Sequence, residues 1–262
     1  MYSYRQFFLI LLFLGVLSNQ ANAAIAPTYV HEHNEWMDSN RDTLEYYPSI
    51  RNFILPTAAI GYGFASVYIP NFNQVNVNVH DAIDKWNLPQ SKLDNFTQFA
   101  PAVLVYGLNA VGIHGKHGLW DRTLIYGLSQ AYASSFVVPL KHIIKEQRPD
   151  GSDALSFPSG HTSSAFASAQ FMYREYKDTH PWISVSGYSF ALFTGVYRMV
   201  NNRHWFGDVV AGAGFGVLAT ELSYLTFSTL KKHRTKNAQN AFISYVPFYN
   251  SQVYGMNCVM IF

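Results

Sequence analysis

The sequence is poor in cysteine, in charged residues and in long uninterrupted apolar runs. Cys258 is the single cysteine among 262 residues, so no disulfide can form within the chain and stability must come from packing. Charged residues make up 13% and the formal net charge is +2, which excludes strong electrostatic capture of nucleic acid. The apolar runs are at the short end for crossing a bilayer, and the mean hydropathy of −0.01 is low for a protein with many membrane spans.

The N-terminus has the three parts of a secretory signal. Arg5 supplies the positive charge, Phe7 to Leu17 the apolar segment, and Ala21-Asn22-Ala23 a small-residue cleavage site. We therefore predict a signal peptide over residues 1–23 and an exported protein, with an uncleaved membrane anchor as the alternative. A lead-in and accessory segment over residues 24–97 follows.

The lead-in carries weak signals only. His31-Glu32-His33 and Glu35 are of metal-ligand type, but no second ligand cluster is nearby, so a solvated segment is the better interpretation. Phe53 to Ile69 is apolar but interrupted by proline and glycine. Asn71 to Asn78 alternates asparagine with apolar residues, which predicts a loop or an edge structure there.

Five helix-length apolar runs follow Gln98, joined by short connections. They predict an all-α fold, a helical bundle that forms the main domain over residues 98–232. The runs are Phe99 to Ile113, Thr123 to Leu140, Ser163 to Tyr176, Trp182 to Tyr197 and Val209 to Leu230. The last run contains Ala211-Gly212-Ala213-Gly214-Phe215-Gly216, which indicates close contacts between helices.

The tail over residues 233–262 has a different pattern. Ala241 to Phe248 and Gln252 to Phe262 are separated by Asn250-Ser251, as in a β-hairpin. Two strands cannot stand alone, so we predict a small β-hairpin-like appendage that packs on the helices or on a partner.

Polar residues cluster at the ends of the apolar runs. The turn Phe157-Pro158-Ser159-Gly160-His161-Thr162 opens one run, and backbone N–H groups at the start of a helix suit an anion. Lys141 and Arg148 are seven residues apart, which predicts that both lie on one face of a helix ended by Pro149.

A third polar group follows the Trp182 run. Arg198 closes that run, and His204 and Asp208 are four residues apart, so an imidazole and a carboxylate can touch on one helix face. Taken singly, each of these features is as often a helix cap, a solvated helix end or a surface pair. Only their combination points to a shared site.

The combined groups fit attack on a phosphoryl group. Lys141, Arg148 and Arg198 would neutralise its nonbridging oxygens. The backbone N–H groups of Ser159 and Gly160 would complete the cradle for the anion.

Two histidines would divide the remaining chemistry. His204 has a carboxylate partner in Asp208 that fixes its tautomer, so it is the predicted nucleophile, and His161 is the predicted acid for the leaving alcohol. With ordinary pKa values of about 6.5, the two predict a bell-shaped activity profile at mildly acid to neutral pH. We interpret the neighbouring charges as surface or rim residues; they are Lys145, Glu146, Asp150 and Arg203.

Three segments resemble, in order, the signature motifs of the type 2 phosphatidic acid phosphatase and vanadium haloperoxidase superfamily. They are Lys141-x6-Arg148-Pro149, Pro158-Ser159-Gly160-His161 and Arg198-x5-His204-x3-Asp208. The resemblance covers about Phe99 to Leu230. It implies a helical bundle, metal-independent catalysis without a cofactor, and a phosphohistidine on His204. The serine that usually precedes the third-motif arginine is Tyr197 here, which removes one hydroxyl donor.

The resemblance implies a phosphomonoesterase acting on lipid phosphates such as phosphatidic acid, phosphatidylglycerophosphate, isoprenoid pyrophosphate or the phosphates of lipid A. A soluble periplasmic acid phosphatase of broad specificity is one alternative, and a non-catalytic envelope scaffold that docks through its tail is another. We expect a phosphorylated lipid or small phosphomonoester as the partner, and no nucleic acid. Export and the count of apolar runs before Lys141 place the expected site on the periplasmic side, in a protein that is either membrane-associated or soluble.

Overall fold

The structure, a computed structural model of the chain, describes residues 49–240, 242–250 and 253–261, and side chains up to residue 232. The predicted signal peptide, the lead-in residues His31, Glu32, His33 and Glu35, and the side chain of Cys258 lie outside this description. All described elements belong to one unit, Glu45–Phe262.

Eight α-helices precede two β-strands within the described residues. The helices are α1 (Arg51–Tyr68), α2 (Pro70–Asp84), α3 (Asp94–Thr97), α4 (Ala100–Ala110), α5 (Leu119–Ile144), α6 (Gly160–Tyr176), α7 (Pro181–Val200) and α8 (Phe206–Asn240), and the strands are β1 (Phe242–Asn250) and β2 (Val253–Ile261). Each of the five predicted helical runs overlaps one helix from α4 to α8. The predicted helical bundle is therefore confirmed.

Local chemistry explains several helix ends. Lys145 ends α5 in the left-handed conformation, with φ of 53°, and its N–H bonds the carbonyl of Lys141 at 3.2 Å. The side chain of Ser159 caps the start of α6 by accepting from the N–H of Thr162. Pro181 begins α7 at a position where the missing N–H costs nothing.

The prediction of a loop or edge structure at Asn71 to Asn78 is wrong, because these residues lie in α2. The helix starts with Pro70. Two of its asparagines form hydrogen bonds with the backbone of neighbouring segments. Asn76 is buried and accepts from the N–H of Gly207 at 2.8 Å, while Asn73 donates to the carbonyl of Ser66 at 3.2 Å. Asn73 and Asn76 thus bond the backbone of neighbouring segments from a helix and not from a strand.

The glycine-rich stretch of α8 brings neighbouring backbones close, as predicted. A Cβ on Gly212 would lie 2.6 Å from the carbonyl oxygen of Ser159, and one on Gly214 would lie 2.6 Å from the carbonyl oxygen of Pro56. These are closer than real Cβ contacts, so only glycine allows α8 to approach α1 and the start of α6 this closely.

Helix α6 lies at the centre of the bundle, in contact with α4, α5, α7 and α8. Its side chains Phe171, Met172 and Tyr176 are almost fully buried, and they share one cluster with residues of α4, α5 and α8. That cluster comprises Ala102, Val105, Ile125, Phe171, Met172, Tyr176, Tyr224 and Phe227. Burial of this apolar area is the main stabilisation of the bundle.

A buried polar network marks one end of the bundle and fixes the direction of the helices. Glu175, at the end of α6, lies 2.7 Å from the ring of His117 and 3.5 Å from Arg122 near the start of α5. The hydroxyl of Tyr224, far along α8, donates to the same carboxylate at 2.8 Å. The end of α5 and the starts of α6 and α8 therefore meet at the opposite end of the bundle.

The two strands pair antiparallel, from Phe242 opposite Ile261 to Asn250 opposite Val253. Beyond this pairing, the described residues give no support to the predicted packing of the tail as an appendage. That part of the fold stays a prediction.

One described helix segment, Phe206–Lys232, is long and apolar enough to cross a membrane, with a mean hydropathy of 1.3. Helices α1 and α2 would add a second candidate if the pair, bent by 94°, is one span. The α8 window is 67% buried inside the protein, and the core helix of a soluble protein has the same length and composition.

Candidate active site

Four helix ends meet at one end of the bundle, and they carry the residues that the three motifs predicted. Lys141 lies in the last turn of α5, and Ser159 caps α6. Arg198 lies in the last turn of α7, and Asp208 lies in the first turn of α8. The starts of α6 and α8 add the positive ends of two helix dipoles, which favour an anion at this place.

Lys141 ties the end of α5 to the loop before α6. Its Nζ donates to the carbonyl oxygens of Leu155 at 2.6 Å and Ser156 at 3.1 Å. Burial, together with the charges of Arg148 and Arg198, lowers the pKa of Lys141 to about 8 against the attraction of Asp208. The ammonium is therefore charged at neutral pH and loses its proton in mildly alkaline solution.

The prediction that Lys141 and Arg148 share one helix face is wrong. Helix α5 ends at Ile144, and the left-handed Lys145 turns the chain into a loop that carries Arg148. Arg148 Nε donates to Asp153 Oδ1 at 2.8 Å, and its backbone N–H bonds the carbonyl of Asp153 at 3.0 Å. From this loop, the charge of Arg148 lowers the pKa of both Lys141 and His161.

The turn before α6 is built differently from the expectation in one respect. The N–H of Ser159 donates to the backbone carbonyl of Asp208 at 3.1 Å. The prediction that this N–H binds the anion is therefore wrong. The hydroxyl of Ser159 lies 2.8 Å from that of Thr162, and the side chain is fully buried. The first N–H groups of α6, those of Gly160 and His161, are the ones that a helix start leaves without an intrahelical acceptor.

His204 and Asp208 contact each other, although not on one helix face. His204 precedes α8, and its Nδ1 lies 3.6 Å from Asp208 Oδ2, with both side chains buried. The same carboxylate oxygen accepts from the N–H of Trp205 at 2.8 Å and from the hydroxyl of Ser156 at 2.5 Å. The carboxylate is thus fixed beside the imidazole by hydrogen bonds from Trp205 and Ser156.

Burial lowers the pKa of His204 to about 4, although Asp208 opposes the shift. Burial and the charge of Arg198 lower the pKa of His161 to about 4 as well. The expectation of ordinary pKa values of about 6.5 for both rings is therefore wrong, because desolvation disfavours their charged forms. A neutral His204 is the form that can act as a nucleophile.

Two residues of the short helix α3 lie in the site, and sequence reasoning missed both. Asp94 Oδ2 lies 2.8 Å from Arg198 Nη1, and Asn95 Oδ1 lies 2.8 Å from His161 Nε2. Asp94 and Arg198 are 104 positions apart in the chain. No local pattern in the sequence indicates a pairing over this distance. Asp94 and Asn95 both fell in residues 24–97, the segment assigned to the lead-in.

Glu146 is a third residue that the sequence misassigned. The prediction of a surface or rim charge is wrong, because its carboxyl oxygen Oε2 is buried and the group hydrogen-bonds Asp208. Burial and the nearby negative charge of Asp208 raise the pKa of Glu146 to about 10. By contrast, Lys145 is exposed, and Arg203 pairs with Asp150 at 3.1 Å at the surface.

Tyr197 stands where the resembling family usually has a serine. Its ring packs on Phe193, one turn earlier in α7, with ring centroids 4.4 Å apart. The aromatic ring is therefore used in packing along the helix.

The assembled side chains are of the types that chemistry at a phosphoryl group needs. Three cations, Lys141, Arg148 and Arg198, act together on His161 and lower its pKa. A neutral, carboxylate-paired His204 lies beside them. Among the described residues, no group of three or more His, Cys, Asp or Glu is arranged to hold a metal ion.

Comparison with known proteins gives matches to phosphatases. A family model described as the PAP2 superfamily matches residues 122–232. The lipid A 1-phosphatase of Porphyromonas gingivalis is 42% identical over 135 residues, which are 51% of this chain and 30% of that protein. The matched part therefore spans less than a third of that relative's length.

Two solved structures are similar in part. LpxE of Aquifex aeolicus has a TM-score of 0.42 and 20% identity, over 56% of this chain and 93% of that one. A PAP2-type phosphatidylglycerolphosphate phosphatase from Bacillus subtilis has a TM-score of 0.38 and 19% identity, over 70% of this chain and 94% of that one. These values are too low to carry an argument about this chain.

The family match spans α5 to α8 up to Lys232 and contains all three motifs, from Lys141 to Asp208. As the motifs predicted, residues 122–232 match the model of the PAP2 superfamily.

Proposed function

We propose that this chain is a phosphatase that hydrolyses phosphomonoesters of lipids without a metal ion. The observation that carries the proposal is the buried His204, whose Nδ1 lies 3.6 Å from Asp208, at the end of the bundle where the helix ends with Lys141 and Arg198 lie. Burial lowers the pKa of His204 to about 4, which leaves the ring neutral at neutral pH. A neutral imidazole that lies beside a carboxylate and near cationic side chains is suited to displacement at phosphorus.

The first step transfers the phosphoryl group to the enzyme. The lone pair of His204 attacks phosphorus, the bond from phosphorus to the leaving oxygen breaks, and His161 donates a proton to that oxygen. Lys141, Arg148, Arg198 and the N–H of Gly160 stabilise the charge on the nonbridging oxygens.

The second step regenerates the enzyme. Water attacks the phosphohistidine, His161 takes the proton of that water, and the bond between phosphorus and His204 breaks to release inorganic phosphate. Because the pKa of the free His161 is about 4, this acid works best when the negative phosphoryl group beside it raises the pKa again.

A lipid substrate is supported by two observations. The Porphyromonas gingivalis relative is described as a lipid A 1-phosphatase. Large apolar side chains are exposed on the described helices, among them Trp120 at 85% and Trp182 at 88% exposure, each near the start of a helix. Exposed tryptophans of this kind are typical of proteins at a membrane surface. We therefore include membrane association and a site on the periplasmic side in the proposal.

Phosphate release by the purified full chain tests this function. The substrates are phosphatidic acid, phosphatidylglycerophosphate, an isoprenoid pyrophosphate and lipid A, with p-nitrophenyl phosphate as the soluble comparison, all in excess chelator. We expect vanadate-sensitive release from at least one lipid, and a loss of at least about 1,000-fold in His204→Gln. Asp178→Asn, at an exposed carboxyl on the surface, is the matched control and should retain activity.

Each alternative has its own result in the same experiment. Faster turnover of p-nitrophenyl phosphate than of every lipid, with release of the protein from cells without detergent, would identify a soluble acid phosphatase. Absence of phosphate release from all five compounds would leave the non-catalytic scaffold. Normal turnover of every lipid by His204→Gln would contradict the proposed nucleophile.

A further inference from the structure

The short helix α3 is anchored on the last two turns of α7. Asp94 is 1% exposed and Arg198 is 9% exposed, so their contact at 2.8 Å is a buried ion pair. One turn before Arg198, the hydroxyl of Thr194 lies 2.8 Å from the hydroxyl of Thr97, at the end of α3. Helix α3 thus has two polar attachments to α7, and one of them is on a phosphate-site cation.

Only one end of the Arg198 guanidinium is used in this pair. Nη1 donates to Asp94, whereas Nε is buried and has no hydrogen-bond partner among the described residues. A buried N–H without an acceptor is costly, and an arginine binds phosphate best through two adjacent N–H groups. The edge that carries Nε is therefore available for phosphoryl oxygens.

We propose that Asp94 is a positioning residue of the phosphate site, which holds Arg198 by Nη1 and directs its Nε edge to the phosphoryl group. This inference rests on the proposed function. Asp94 is suited to the task because a carboxylate fixes the plane of a guanidinium and offsets the repulsion from Lys141 and Arg148. It acts through Arg198 and does not itself touch the substrate.

The neighbouring residue supports this role of α3. Asn95 Oδ1 lies 2.8 Å from Nε2 of His161, the proposed acid. Two successive residues of one short helix therefore contact one residue of the second motif and one of the third. This arrangement sets Arg198 and His161 relative to each other before a substrate binds.

A purely structural ion pair would have different consequences from a positioning residue. If Asp94 only fastened α3 to the bundle, its loss would lower the thermal stability and leave the kinetics of the folded fraction unchanged. If it positions Arg198, its loss weakens the binding of phosphoryl-like anions and the transition state together. Inhibition by vanadate therefore distinguishes the two roles.

The experiment compares Asp94→Asn and Asp94→Glu with two controls. Asp121→Asn breaks an ion pair of 2.8 Å with Lys231 far from the site, and Thr97→Val removes the other attachment of α3. We measure kcat, KM, vanadate inhibition and Tm for each purified variant. A displacement of a site residue by about 1 Å lowers the rate by about 100-fold. We therefore expect Asp94→Asn to lower kcat/KM by about 10- to 100-fold and to weaken vanadate inhibition by a similar factor.

The further expectations concern rescue and coupling. Asp94→Glu should recover part of the loss. Vanadate should inhibit Thr97→Val and Asp121→Asn as strongly as it inhibits the wild type. On an Arg198→Ala background, Asp94→Asn should add less than about twofold, because a residue that acts through Arg198 has nothing left to position.

Two outcomes would overturn the inference while the proposed function stands. One is that the wild type is active and that Asp94→Asn differs from it by less than about twofold in kcat/KM and in vanadate inhibition. The other is a full additional loss on the Arg198→Ala background. A wild type that neither releases phosphate nor binds vanadate would overturn the proposed function, and the inference with it.

Discussion

Replacement of Glu146 by glutamine is expected to stabilise the protein, and increasingly so as the pH rises. The carboxyl of Glu146 is buried next to Asp208, and burial raises its pKa to about 10. In the folded protein the group is therefore protonated at neutral pH, whereas in the unfolded chain it is ionised. A glutamine amide can donate to Asp208 in the same way and carries no proton that must be taken up.

The magnitude follows from the pKa values. A pKa that is raised on folding gives its full contribution to stability below the unfolded value of 4.5, and this contribution is lost as the pH rises towards 10. The loss is about 1.4 kcal/mol per pH unit, so at pH 7 it reaches about 3 kcal/mol. For a chain of this size, that corresponds to a Tm difference of roughly 6 to 12 °C.

Thermal unfolding of the purified full chain between pH 5 and pH 8 provides the assay. The Tm of Glu146→Gln should lie close to that of the wild type at pH 5 and increasingly above it towards pH 8. Asp178→Asn, at an exposed carboxyl, serves as the control and should follow the wild type at every pH. A constant Tm difference for Glu146→Gln across this range, or a lower Tm at pH 8, would refute the reasoning that Glu146 is buried in its protonated form.

Two further predictions concern the pH profile and the helix contacts. Because the pKa of Lys141 is about 8, the fall of kcat/KM should become steeper above about pH 8, and Lys141→Arg should move this steeper part to higher pH. An unchanged slope above pH 8 in Lys141→Arg would contradict this. The low pKa of His161 should also place the optimum of kcat/KM below pH 6.5. Gly212→Ala should destabilise the protein by about 1–3 kcal/mol and reduce activity, since its Cβ would lie 2.6 Å from the carbonyl oxygen of Ser159. Gly127→Ala, with open space around the new Cβ, is the matched control, and equal Tm values for the two variants would argue against the close contact.

Local signals in the sequence accounted for the central helices and for the motif residues of the site. Apolar runs of helical length indicated α4 to α8, and the turn Phe157 to Thr162 indicated that α6 begins nearby. These features depend on the preferences of a few adjacent residues, so they can be read from a short window. The motifs carried the family assignment for the same reason, because their spacing is a property of the chain alone.

The path of the loop after α5 could not be derived in this way. A helix extended to Pro149 would have been compatible with the sequence, but the chain leaves the helix at Lys145 in a left-handed conformation. That turn directs Glu146 inwards to Asp208 and Arg148 back to Asp153. The burial of Glu146 depends on what lies opposite it, and nothing in its neighbours along the chain indicates this.

The sequence by itself determined the helical bundle, because helix formation is a local property. Motif spacing, also a property of the chain alone, predicted the phosphate-handling set Lys141, Arg148, His161, Arg198, His204 and Asp208. Only the tertiary structure decided which partners these residues have: Asp94 for Arg198, Asn95 for His161 and Glu146 for Asp208. It also decided that both site histidines have a pKa of about 4. Burial and contacts between distant segments control these properties, and both arise only when the helix ends meet.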